Sequence, residues 1–172
     1  MLPDLPPRLP TLATDAKQAY ERFRLATSAG NEAFSTGAHK RACEHFEDAL
    51  ALARRLFQRA ADGRTCPEQA AAALLVARHN AARNLTRLGR LEAAGAHLEA
   101  ACRTLGDWRS APHAPAELRQ ACEGLLPEAL ESCAAHLERC GAGAERILAL
   151  YERVACSSKH DLQSARAKGP AS

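Results

Sequence analysis

Two groups of residues have types and spacing that could do chemistry. One is a pair of arginines, and the other is a pair of cysteines with a histidine between them. Arg83 and Arg87 are four residues apart, so on a helix they share one face, where two guanidinium groups suit a carboxylate or an acidic peptide. Cys133, His136 and Cys140 are spaced by three and four residues and also share a helix face. Thiolate and imidazole groups suit zinc or copper, but cysteine also packs between helices as a small apolar side chain. These three residues are therefore weak candidates for a metal site, and metal binding is a minority interpretation. No cofactor is predicted.

No sequence motif of a common enzyme class accompanies these residues. The chain has no Gly-rich phosphate loop, no GxSxG and no HExxH. Its acidic residues and its seven histidines are scattered without a partner pattern. We therefore expect a protein that is not an enzyme.

Composition indicates a helical protein of one domain. The 172 residues are rich in alanine and leucine and only 4% aromatic, which favours helix over strand. A net charge of +3 is smaller than a nucleic-acid partner usually requires, and no apolar run approaches the roughly 20 residues of a membrane span. The first residues lack the basic-then-apolar order of a signal peptide. The seven cysteines are thus expected to be free thiols in a reducing, cytoplasmic location.

The chain divides into an arm, a helical domain and a tail. Residues 1–13 hold four prolines and predict a flexible arm, residues 14–157 a helical domain, and residues 158–172 a flexible polar tail. The apolar periodicity predicts six helices, over about 15–35, 38–61, 67–88, 91–105, 116–139 and 144–156. We expect a loop over 106–115 and a kink or break at Pro127.

The predicted helical hairpins recur every 52 residues. The turn glycines are Gly37, Gly89 and Gly141. Seven residues before each glycine stands a small residue, and these are Gly30, Ala82 and Ala134. Packing residues follow the turns, namely Ala42, Phe46 and Ala49, then Ala94, Leu98 and Ala101, and, with one inserted residue, Ile147, Tyr151 and Val154. Small residues let the two helices of a hairpin approach closely, and glycine permits the sharp turn.

These units resemble tetratricopeptide repeats (TPRs). "GNEAFSTGAHKRACEHFEDAL" (30–50) and "NAARNLTRLGRLEAAGAHLEAA" (80–101) carry the small residue, the turn glycine and the alanine, bulky residue and alanine that follow. "ESCAAHLERCGAGAERILALYERV" (131–154) resembles the motif weakly. The family repeats about every 34 residues, a shorter period than the one found here, so some helices must be longer than the family norm. The resemblance implies an all-α, antiparallel helical-hairpin array, a TPR-like α-solenoid of about six helices.

The resemblance also implies a concave groove lined by the first helix of each unit. Its lining would comprise Arg24, Thr27, Asn31, Phe34 and Ser35, then Val76, His79, Arg83, Thr86 and Arg87, then Glu128, Glu131, Ala135 and Arg139. The four arginines of this set would form a basic strip; the alternative is a solvated helix face whose charges pair with nearby Glu. Family members that hold the carboxyl-terminal tail of heat-shock chaperones use a five-residue clamp. Asn31 and Asn80 match two clamp positions, whereas Thr27, Glu128 and Ser132 stand where the clamp is basic.

The sequence thus predicts a non-enzymatic protein–protein interaction module, a TPR adaptor or co-chaperone. Its partner would be a peptide or protein segment, acidic or carboxylate-terminated, held in the partly basic groove. One alternative is a dedicated chaperone or assembly subunit of a larger complex, whose apolar faces are covered by a partner or by a second copy, so self-association stays open. The minority alternative is a thiol-based metal-binding protein.

Overall fold

The computed structural model describes residues 12–142 and 144–154, and these residues form helices and turns without any strand. The helices are α1 (Leu12–Ser35), α2 (His39–Ala61), α3 (Pro67–Arg87), α4 (Leu91–Ser110) and α5 (Ala116–Arg139), followed by α6 over 144–154. The prediction of an all-α protein is confirmed. The first helix begins two residues inside the predicted arm; the rest of the arm and the whole predicted tail lie outside the described residues.

The three predicted turn glycines end α1, α3 and α5 in the same way. Each has a positive φ, of 77°, 72° and 73° for Gly37, Gly89 and Gly141, a conformation that L side chains rarely adopt. In each turn the residue after the glycine donates its amide hydrogen to a carbonyl five residues earlier, as Ala38 to Ala33, Arg90 to Leu85 and Ala142 to Leu137. This is the Schellman arrangement, which satisfies carbonyls at a helix end. The 52-residue repeat is therefore present in the backbone hydrogen bonds.

Each of the helices α1 to α4 packs against the helix that follows it, and α3 also packs against α5. One face of α2 is wholly buried, and it consists of Ala42, Phe46, Ala49, Ala53, Leu56 and Ala60. The turns after α1 and α3 are three residues long, so α2 and α4 run back along the helices that precede them. Because α4 returns to α5 through another short loop, α3 and α5 run in the same direction side by side.

The predicted end of α4 is wrong, and of the kink or break predicted at Pro127 the break does not occur. The helix α4 continues to Ser110, so the predicted loop shrinks to 111–115. It continues because Trp108 packs edge-on against Phe57, with ring centroids 5.6 Å apart, while the missing side chain of Gly106 admits Val154 of α6. The helix α5 is unbroken at Pro127. Pro127 is exposed, and so is Glu123, whose carbonyl lacks a helical donor, so water can satisfy that carbonyl.

The packing residues of the third unit also differ from the prediction. Tyr151 is 42% exposed, whereas Leu150 is 3% exposed and belongs to the core. The buried face of α6 comprises Ile147, Leu150 and Val154, which follow the spacing of one helix face. The register predicted with an inserted residue is thus wrong at Tyr151 and right at Ile147 and Val154.

Candidate functional site

An open cleft of about 760 Å³ between α3 and α5 collects several of the predicted groove residues. We call it the α3–α5 cleft. The two helices run in the same direction and form the two walls of the cleft. On each helix, residues three and four apart share the face that lines the opening. It is lined by His79, Ala82, Arg83, Thr86 and Arg87 of α3, by Glu131, Ser132, Ala135, His136 and Arg139 of α5, and by Leu98.

Three of the predicted arginines meet in this cleft. Arg87 and Arg139 lie at the ends of α3 and α5, at equivalent positions of two units. Arg83 is held from the side by α1. Its Nη2 donates a hydrogen bond of 2.9 Å to Oδ1 of Asn31, and its guanidinium carbon lies 4.4 Å from the ring centroid of Phe34, a cation–π distance. Asn31 and Phe34 therefore orient Arg83 at the basic end of the cleft.

The predicted groove residues of α1, together with Val76, Asn80 and Glu128, do not line the cleft. Arg24 is exposed on α1 and pairs at 3.3 Å with Glu21 of the same helix. It therefore fits the alternative interpretation, a solvated helix face whose charges pair with nearby Glu. Asn80 is half-buried and is not among the residues that line the cleft. The basic strip is therefore shorter than predicted and is built by α3 and α5 alone.

The wall of the cleft carries an unsatisfied polar atom. The Nε2 atom of His79 is buried and has no hydrogen-bond partner among the described residues, and the same holds for Oγ1 of Thr27, the equivalent residue of the first unit. Burial lowers the pKa of His79, and the carboxylate of Glu128 opposes this shift. The imidazole is therefore neutral near pH 7. Glu131, the equivalent residue of the third unit, lines the cleft opposite.

A family model described as "Protein of unknown function (DUF2753)" matches residues 21–168, which is most of the chain. The chain belongs to the DUF2753 family. No curated protein matches this DUF2753 chain, and no solved structure matches it. Within the described residues, no helix is both long and apolar enough to cross a membrane.

Two buried polar side chains of the DUF2753 chain connect successive hairpins, and the sequence reasoning missed this role. Nδ2 of Asn84 donates a 2.9 Å hydrogen bond to the carbonyl oxygen of His39. In the next unit, Nε2 of His136 lies 3.0 Å from the carbonyl oxygen of Leu91. Both donors and both acceptors are 52 residues apart. One sequence signal could have revealed this role. Asn84 and His136 are polar residues one repeat apart, and both stand among apolar neighbours.

The contacts of the thiol set disfavour a metal site. Since the carbonyl of Leu91 can only accept, Nε2 of His136 carries the proton there and is not free to bind a cation. Cys133 instead shares a buried hydrogen bond with Cys102 of α4; this bond and burial raise the pKa of the Cys102 thiol far above its usual range. Across residues 12–142 and 144–154, no three His, Cys, Asp or Glu side chains are grouped to hold a metal ion.

A second group of basic side chains lies around Arg78. Burial, together with the charges of Arg54 and Arg103, lowers the pKa of Arg78 to about 10. Burial and the charges of Arg78 and Arg54 also lower the pKa of His97. These residues do not line the α3–α5 cleft, so they belong to the framework around it.

Proposed function

We propose that this protein is a non-enzymatic protein–protein interaction module that binds an acidic or carboxylate-terminated peptide segment in the α3–α5 cleft. The observation that carries the proposal is the meeting of Arg83, Arg87 and Arg139 in one open cleft. None of the three forms an ion pair with a described residue. Guanidinium groups without carboxylate partners, on two rigid helices, suit a ligand that supplies the carboxylate.

The repeated architecture supports the same proposal. We propose that the hairpins form a TPR-like α-solenoid and that the protein serves as an adaptor or co-chaperone. The 52-residue recurrence of the turn glycines and of the bonds made by Asn84 and His136 supports stacked units. All six described cysteines are free thiols, which suits the cytoplasmic location that we propose with this function.

Selection from a displayed random peptide library tests the proposal directly. We expect wild-type protein to enrich peptides with Asp, Glu or a free terminal carboxylate. The double variant Arg83→Glu/Arg87→Glu should bind the enriched peptides at least about ten-fold more weakly, because an exposed ion pair contributes up to about 1 kcal/mol and charge reversal adds repulsion at two positions. Fluorescence anisotropy with labelled peptides measures the dissociation constants.

The matched control is Arg22→Glu/Arg55→Glu, which reverses two exposed arginines that do not line the cleft. This control should retain the wild-type affinities, and both double variants should keep the wild-type helicity. Equal binding by the cleft variant and the wild type would overturn the proposal. So would a library selection that enriches no acidic residue.

A further inference from the structure

The α3–α5 cleft carries opposite charges at its two ends. Arg87 and Arg139 lie near the hairpin turns, whereas Glu131 lies eight residues before Arg139 on the same wall. Glu128 extends the acidic end, since its carboxylate acts on His79 across the cleft. At a rise of about 1.5 Å per residue, eight helical residues span about 12 Å. The acidic and basic ends are therefore about 12 Å apart.

We propose that the ligand of this cleft is a dipolar peptide segment, with an anionic group at the arginine end and a cationic side chain about four residues away at the glutamate end. The inference rests on the proposed function and specifies its ligand. The number of residues follows from the geometry, because an extended peptide advances about 3.3 Å per residue. A spacing of four residues thus covers the distance between Glu131 and Arg139.

The acidic end of the cleft also fits the backbone of such a segment. The unpartnered Nε2 of His79 is level with Glu131, because His79 lies eight residues before Arg87 just as Glu131 lies eight residues before Arg139. A neutral imidazole nitrogen can donate to a peptide carbonyl or accept from a peptide amide, depending on its tautomer. A bound backbone would satisfy this buried atom, whose hydrogen bond is otherwise lost. An isolated anion at the arginine end would leave it unsatisfied.

Synthetic peptides of Gly, Ser and Val that carry one Asp and one Lys four positions apart, in both orders, test the inference. We expect the peptide of one order to bind about two- to five-fold more tightly than its Lys→Gln analogue, the range expected for one exposed ion pair. Peptides with the two charges adjacent, or eight positions apart, should lose this gain. Anisotropy or chemical-shift titration measures each affinity.

Charge reversal on the protein identifies the acidic end. The variant Glu131→Lys should lose the preference for Lys and gain one for the matching Lys→Glu peptide. The control Glu123→Lys changes an exposed residue of the same helix outside the cleft and should keep the wild-type preference. If Glu131→Lys alters the circular dichroism spectrum, Glu131→Gln should still abolish the preference for Lys.

The outcomes separate the inference from the function on which it rests. If binding depends on the Asp of the peptide and on Arg83 and Arg87, but not on the Lys or on Glu131, the dipolar ligand is overturned and the acidic-peptide cleft remains. If no peptide depends on the arginines, both proposals fail. An Asp–Lys preference that survives Glu131→Lys also overturns the inference, because the acidic end would then lie elsewhere.

Discussion

Gly30 offers the most stringent test of the packing between α1 and α2. A Cβ atom on Gly30 would lie 2.5 Å from Cε1 of Phe46, a ring that is 1% exposed. Replacing glycine by alanine inside a helix normally stabilises a protein by about 1 kcal/mol. Overpacking a closed core costs about 1–3 kcal/mol, and a contact this short against a fully buried ring is at the upper end of that range. We therefore expect Gly30→Ala to lower the free energy of unfolding by about 1–2 kcal/mol.

The matched control for Gly30→Ala is Gly124→Ala, since Gly124 is also helical but exposed, and a Cβ atom added there would meet nothing within 4 Å. That variant should gain stability by about 0.5–1 kcal/mol. Urea unfolding followed by circular dichroism measures both changes. The second unit has Ala82 and Leu98 at the equivalent positions, so Phe46→Leu should reduce the cost of Gly30→Ala in a double-mutant cycle. If Gly30→Ala is as stabilising as Gly124→Ala, the close approach of the two helices is refuted.

Two further predictions concern buried polar groups. Asn84→Ala should lower the free energy of unfolding by about 2–3 kcal/mol, since it removes the hydrogen bonds of the buried amide to His39 and Cys43 of α2 and leaves a small void. Asn80→Ala, one turn earlier and half-buried, should cost less than about 1 kcal/mol, and equal costs would contradict the role of Asn84. Because the pKa values of His79 and His97 lie below the ordinary 6.5 when the protein is folded, the unfolded chain binds more protons, and stability should fall as pH drops below 6.5. The His79→Gln/His97→Gln variant should show a flatter stability curve over that interval, and an unchanged slope would contradict the shifts.

The sequence predicted the framework well because its signals are local. The positive φ of Gly37, Gly89 and Gly141 follows from the residue type, because glycine adopts this conformation readily and residues with a side chain rarely do. The helices follow from apolar periodicity, and their predicted starts at the hairpin turns agree with the structure within a residue. Arg83, Arg87 and Arg139 line one cleft, because a helix position fixes its direction once the hairpin is known.

Contacts between distant residues were beyond the reach of this reasoning. The end of α4 depends on Phe57, which packs on Trp108 from 51 residues earlier. The anchoring of Arg83 by Asn31 joins two helices across a full repeat. Each of these outcomes is decided by tertiary packing, which local propensity does not encode.

The internal repeat separates the residues that build the cleft from those that would determine the ligand we propose. Positions facing the partner helix stay alike in kind, as in Gly30, Ala82 and Ala134, because any larger side chain would push the hairpin apart. One position that faces the cleft side reads Thr27, His79 and Glu131 in the three units, and the next reads Asn31, Arg83 and Ala135. Packing demands no particular charge there, so these differences leave the fold intact while creating a basic and an acidic end. The basic end carries the same residue in two units, Arg87 and Arg139, whereas the acidic end depends on the third unit alone, because the second unit has His79 where the third has Glu131. A third unit with histidine at position 131 would therefore weaken the acidic end and leave the basic end unchanged.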